Sequence, residues 1–150
     1  MTATCVLDAE HSNGIHGVIR LFPEGTQTMA YCDIHGLTPG LHGFHVHECG
    51  DLSRGCASTC NHYNPCDQRH GGPQGLQRHR GDFGNIVADQ YGRCTDRILA
   101  DVEVHELLGR AFIIHADKDD LGLGGDEESH KTGNAGARIA CGLIRLDPFA

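Results

Sequence analysis

Apolar and polar residues alternate along much of the chain with the two-residue period of a half-buried strand. Residues 2–7 and 15–22 read as the first two strands, with Asn13-Gly14 as a turn before the second. Pro23-Glu24-Gly25 turns the chain into a third strand at 26–35, where Thr28, Ala30, Cys32 and Ile34 share one face. A fourth strand spans 41–48. From 49 to 81 no period is sustained, and glycine, proline, cysteine and histidine crowd together. Strands are predicted again at 83–88, 94–104, 111–115 and 138–146, with a second polar, glycine-rich loop at 117–137. Short strands, glycine-rich turns and two long loops predict an all-β fold, an eight-stranded Greek-key sandwich or flattened barrel. The length of 150 residues suits a single domain, 1–150.

Composition narrows the function. The net charge of −8, with no basic run, argues against nucleic acid and anionic membranes as partners. No apolar run reaches the length of a bilayer span. Met1 to Leu7 carry no basic, apolar signal-peptide pattern, so a cytoplasmic location is expected. Eight cysteines suggest a disulfide framework, yet they are spread out and none makes a Cys-x-x-Cys pair.

Twelve histidines are many for this length. His45 and His47 stand one residue apart on the fourth strand, so both rings leave the same face, as half of a transition-metal site. His62, His70, His79 and Asp82 supply three imidazoles and a carboxylate, a closed tetrahedral set of the kind zinc prefers. His45, His47 and His115 remain, and one more imidazole would make a copper site; His62 is the candidate to serve both ions, one through each ring nitrogen. His42 has the opposite parity to His45 and His47 and is expected to be buried and hydrogen-bonded. His11, His16, His35, His105 and His130 match no ligand position.

The stretches Gly43-Phe44-His45-Val46-His47-Glu48, His62-Tyr63-Asn64-Pro65, His70-Gly71-Gly72-Pro73, His79-Arg80-Gly81-Asp82-Phe83-Gly84-Asn85 and Gly133-Asn134-Ala135-Gly136-Ala137-Arg138-Ile139-Ala140-Cys141-Gly142 resemble those of the copper/zinc superoxide dismutases, in the family's order. The resemblance implies conversion of superoxide to dioxygen and hydrogen peroxide by Cu(II)/Cu(I) cycling, with zinc as a structural and tuning ion. It implies copper ligands His45, His47, His62 and His115, and zinc ligands His62, His70, His79 and Asp82. It further implies that His62 returns a proton to the forming peroxide, that Asp119 links a copper histidine to a zinc histidine, and that Arg138, with Lys131 near it, guides the anion. Cys56 and Cys141 match the family's disulfide, whereas the pairing of Cys49, Cys60 and Cys66 stays open, Cys60–Cys66 being one candidate.

A homodimer is also implied, although Cys49 replaces a bulky apolar residue common at the subunit contact. A copper chaperone is the further partner to consider. Ala137 and Ile139 flank Arg138, and the absence of proline there favours loading without one.

Overall fold

The computed structural model describes residues 1–148. Its strands are β1 (Ala3–Leu7), β2 (His16–Glu24), β3 (Gln27–His35), β4 (Gly40–His47), β5 (Ser53–Cys56), β6 (Asp82–Ala88), β7 (Arg97–Ala100), β8 (Ala111–His115) and β9 (Arg138–Leu146). A single helical turn, α1 (Val104–Leu107), precedes β8. The alternation written in the sequence is visible in β3, where Thr28, Ala30, Cys32 and Ile34 are buried between more exposed neighbours.

Eight of the strands form one antiparallel ladder in the order β6-β4-β8-β9-β1-β2-β3-β7, with β5 outside it. β9 pairs with both β1 and β8 and so joins the two halves. The chain crosses the barrel between β3 and β4 and again between β7 and β8, the Greek-key feature expected. The end strands β6 and β7 complete a nearly closed barrel, bridged where Asp96 Oδ2 accepts from Val87 N at 2.7 Å. Phe44 stacks on Phe112 at 4.6 Å inside, and Phe83 meets both edge-on. All three rings are fully buried. This rigid barrel is the platform for the loops.

The expectation of one strand over 94–104 is corrected. Only Arg97–Ala100 is a strand, Cys94 makes an isolated bridge to Ile34, and Val104–Leu107 is helical. Glu106 accounts for the helical turn: its Oε2 accepts from Glu103 N at 3.1 Å, and Arg80 clamps the same carboxylate at 2.6 and 2.7 Å. The 49–81 stretch, where the sequence sustains no period, contains the short strand β5 and is fastened by two disulfides.

No helix among the described residues is long and apolar enough to cross a membrane.

Candidate metal centre

Phe44 and Val46 of β4 point into the barrel, so His45 and His47 leave its outer face. That face is nevertheless buried, because both long loops fold over it. The 49–81 loop is stitched to β4 by backbone bonds: Tyr63 N donates to Val46 O at 2.9 Å, Val46 N to Gly81 O at 2.8 Å, and Gly81 N to Tyr63 O at 2.9 Å. A Cβ on Gly81 would meet Val46 O at 2.2 Å, so only glycine permits this approach. The stitching sets His62 opposite His47 in an isolated bridge. The 117–137 loop docks through Gly43, whose N donates to Asp117 O at 2.9 Å; a Cβ there would lie 2.6 Å from that of Ala135. His115 ends β8 at a ladder irregularity and pairs with Arg138 on β9.

The result is one continuous cluster of imidazoles. His45, His47, His62 and His115 offer donor atoms within 4.8 Å of one another, and all four are buried. On the other side of His62, Asp82 Oδ1 lies 3.2 Å from His62 Nδ1, 2.9 Å from His70 Nδ1 and 3.4 Å from His79 Nδ1. His62 Nδ1 and His79 Nδ1 are 3.0 Å apart. Four ligands around zinc at its usual bond lengths sit about 3.3 Å from each other, so this spacing suits a tetrahedral ion. His45, His62, His70 and Asp82 also lie within 4.8 Å of one another. His79 is the better fourth member, because its Nδ1 faces Asp82 directly whereas His45 Nε2 is committed to Asp119.

In four of the rings the second nitrogen is anchored, which aims the first. His47 Nδ1 donates to Cys60 O and His115 Nδ1 to Gly136 O, each at 3.0 Å. Asp119, fully buried, accepts from His45 Nε2 at 2.5 Å and from His70 Nε2 at 2.7 Å. The opposite nitrogens His45 Nδ1, His47 Nε2 and His115 Nε2 are buried without a hydrogen-bond partner, and His70 Nδ1 has only the Asp82 carboxylate beside it, at 2.9 Å. Such atoms are costly unless something binds them. They converge on the two groups above and fit metal ions.

Electrostatics keeps the copper-side donors ready. Burial, with repulsion from neighbouring imidazoles, holds His45 and His47 well below the usual histidine value. Burial also lowers His62 and takes His115 down to about 4. Their lone pairs are therefore free near neutrality. Burial would raise Asp82, but contacts with His62, His70 and His79 outweigh it and hold the carboxyl well below its ordinary range. Asp82 Oδ2 is held by the N–H groups of Gly71 at 2.9 Å and His79 at 2.8 Å.

A cleft opens from this cluster to the surface, lined by His62, His115, Lys131, Thr132, Gly136 and Arg138 among others. Arg138 Nη1 donates to Cys56 O at 3.0 Å and Thr59 Oγ1 at 3.1 Å, and this is its engagement among the described residues. Lys131 on the rim is paired with Glu127 at 3.1 Å, which weakens its field relative to that of Arg138.

Two cysteine bridges shape the loop. Cys56–Cys141 ties it to β9, and Cys49–Cys60 closes a smaller ring. The candidate pairing Cys60–Cys66 is thus corrected; Cys66 is free and exposed, because Cys49 at the end of β4 is the thiol beside Cys60. His42 is buried as expected, with Nδ1 at 2.8 Å from His115 O. Some supporting groups escaped sequence reasoning. The carbonyls of Cys60 and Gly136 carry no residue-type signal. Asn85 bonds the backbone of Asp119 at 2.7 and 2.9 Å, and Arg78 bonds Asp82 O at 3.0 Å; each reads from sequence as an ordinary polar residue.

Comparison with known proteins agrees with this geometry. The family model for copper/zinc superoxide dismutase (SODC) matches residues 15–144. The chain is 48% identical over 135 residues to "Superoxide dismutase [Cu-Zn]" of Paramecium bursaria Chlorella virus 1, covering 87% of this chain and 72% of the relative. It is 45% identical over 152 aligned positions to "Extracellular superoxide dismutase [Cu-Zn]" of Brugia pahangi, covering 97% of this chain and 76% of that one. With these matches, an eight-stranded barrel and buried histidine clusters suited to metal, the chain belongs to the copper/zinc superoxide dismutase family of oxidoreductases, whose cofactors are copper and zinc and whose substrate is superoxide.

Proposed function

We propose that this protein removes superoxide as one domain spanning 1–150, with copper held by His45, His47, His62 and His115, and zinc by His62, His70, His79 and Asp82. The observation that supports the reading is the set of unpartnered nitrogens on His45, His47 and His115, each opposite an anchored one, together with three imidazole nitrogens gathered around Asp82 Oδ1. Copper in the first set supplies a Cu(II)/Cu(I) one-electron couple, and zinc in the second, having no accessible redox state, supplies fixed charge.

The residues do the rest. Arg138, held by Cys56 O and Thr59 Oγ1, presents its charge to the cleft and orients the incoming anion against a molecule of net −8. His62, kept in place by the Asp82 group at its Nδ1, would take up a proton at Nε2 when that nitrogen is not engaged by copper and return it to the departing peroxide. Asp119 fixes the orientation of His45 and His70 together, coupling the two halves. The balance is two superoxide and two protons to one dioxygen and one hydrogen peroxide.

The protein acts as a homodimer, for which sedimentation is the check. Copper loading does not require a chaperone, which expression in a chaperone-free host examines. A cytoplasmic location competes with the Cys49–Cys60 bridge, a bond that oxidising compartments favour; thiol trapping in the native cells decides between them. The central test is metal analysis with a superoxide-consumption assay. One copper and one zinc per chain with rapid consumption is expected; bound copper with superoxide decaying at its spontaneous rate overturns the reading.

A further inference from the structure

The Cys49–Cys60 bridge closes a ring flanked by two candidate copper ligands, His47 two residues before it and His62 two residues after it. Cys49 lies two residues beyond His47, and His47 Nδ1 donates to the carbonyl of Cys60 at 3.0 Å. The disulfide thus ties the acceptor of that bond to the strand that carries the donor. Backbone bonds from Cys49 N to Thr59 O at 3.0 Å and from Glu48 N to Asn61 O at 2.9 Å bracket the same ring. Thr59, next to Cys60, accepts from Arg138 Nη1 through its hydroxyl. Cys60 itself has a positive φ of 66°, a conformation unfavourable to a non-glycine residue, so its carbonyl needs an outside restraint to stay aimed. Of the zinc set, His70, His79 and Asp82 are anchored outside this ring, and the shared His62, two residues beyond Cys60, is held to β4 independently by the bond from Tyr63 N to Val46 O at 2.9 Å.

We infer that Cys49–Cys60 is a positioning disulfide for the copper half of the site, holding the Cys60 carbonyl under His47 and Thr59 under Arg138, and that it is the bridge a reductant opens first. This rests on the proposed role of His47 as a copper ligand. The order of opening follows from access: Cys60 is exposed and Cys49 half-buried, whereas Cys56 and Cys141 are buried. In the step, a dithiol's thiolate attacks one sulfur and breaks the Cys49–Cys60 bond. The second thiol then releases the mixed disulfide, leaving two cysteine thiols and one oxidised reductant. Two electrons and two protons are transferred. The segment from Thr59 to Asn61 is then held by backbone bonds alone, and His47 loses its fixed acceptor.

The test loads the full chain and the C49S/C60S variant with zinc and then copper. It measures copper and zinc release to a chelator, the Cu(II) absorption and paramagnetic resonance spectra, and azide affinity. The expected result is copper release about tenfold faster, an altered Cu(II) spectrum and weaker azide binding, with zinc release unchanged within about twofold. Equal acceleration for both metals, or an unchanged spectrum and copper release, overturns the inference, since a merely structural bridge would loosen both ions or neither. Should C49S/C60S not fold, the parent is treated with limiting dithiothreitol, the opened bridge is mapped by alkylation, and the same criteria apply. Prior opening of Cys56–Cys141 also counts against the proposal. A parent that develops no Cu(II) spectrum sinks the functional reading as well, whereas a normal parent with an indifferent variant sinks this inference alone.

Discussion

Replacing Asp119 by asparagine isolates the link between the two metal sets. The carboxylate is fully buried and only accepts: from His45 Nε2 at 2.5 Å, from His70 Nε2 at 2.7 Å, and from Leu121 N at 2.7 Å. Asparagine has nearly the same shape but one oxygen, and its amide nitrogen is a donor. It can keep Leu121 and one imidazole on the oxygen. The NH2 then faces the other ring's N–H, donor against donor. One ring loses its acceptor, and with it the tautomer that points a lone pair at the metal. Hydrogen bonds to charged groups contribute about 1.5–3 kcal/mol each. With about 1.4 kcal/mol per tenfold, Asp119→Asn should weaken metal binding about 10–100-fold, the range seen when such supporting residues are altered. Competition against chromophoric chelators, run separately for copper and zinc, measures it. The barrel core is untouched, so the far-ultraviolet spectrum should match that of the parent. Affinities within about threefold of the parent for both metals would refute the reasoning.

Three further outcomes are expected. Arg138→Ile should slow turnover and weaken azide inhibition with metal content intact, since Arg138 lines the cleft and its pairing with His115 is through backbone; unchanged steady-state rates at low ionic strength would refute it. Removing Cys56–Cys141 releases a closure of 85 residues in sequence, and C56A/C141A should lose about 3–5 kcal/mol in denaturant unfolding, with no loss contradicting the assignment of that bridge as a staple. Phe112→Ala should cost about 3–5 kcal/mol in the same assay, because its ring is fully buried against Phe44 and Phe83; a change under about 1 kcal/mol would mean that the barrel refills the space.

The electrostatic layout explains why these perturbations separate. The copper-side histidines are depressed mainly by burial, so their readiness depends on the barrel and the covering loops. On the zinc side, burial alone would lower His70, but the carboxylates of Asp119, accepting from its Nε2, and of Asp82, beside its Nδ1, reverse the shift and raise it to about 9. One half is tuned by exclusion of water and the other by neighbouring carboxylates, with Asp119 touching both.

Local rules were enough for most of the strands and for picking out the histidines and the aspartate that the fold brings together. Alternation along 26–35 marks β3 because the pleat repeats every two residues, and the same parity sends His45 and His47 out together while turning His42 away. The carboxylate three residues after His79 was likewise visible as a short-range pattern. What lay beyond local rules was any choice made between segments distant in sequence. Cys49 rather than Cys66 bonds Cys60 because the loop returns antiparallel to the end of β4, a fact no spacing encodes. Residues 101–107 leave the sheet because Arg80, from another loop, holds Glu106 at the start of a helical turn. The carbonyls of Cys60 and Gly136 aim two histidines, yet every residue has a carbonyl, and only the folded backbone selects these two. Side-chain chemistry and strand period are one-dimensional properties that sequence determines. Which partner a donor, thiol or carbonyl meets is a three-dimensional property, decided when the barrel closes and brings residues dozens of positions apart within hydrogen-bond reach.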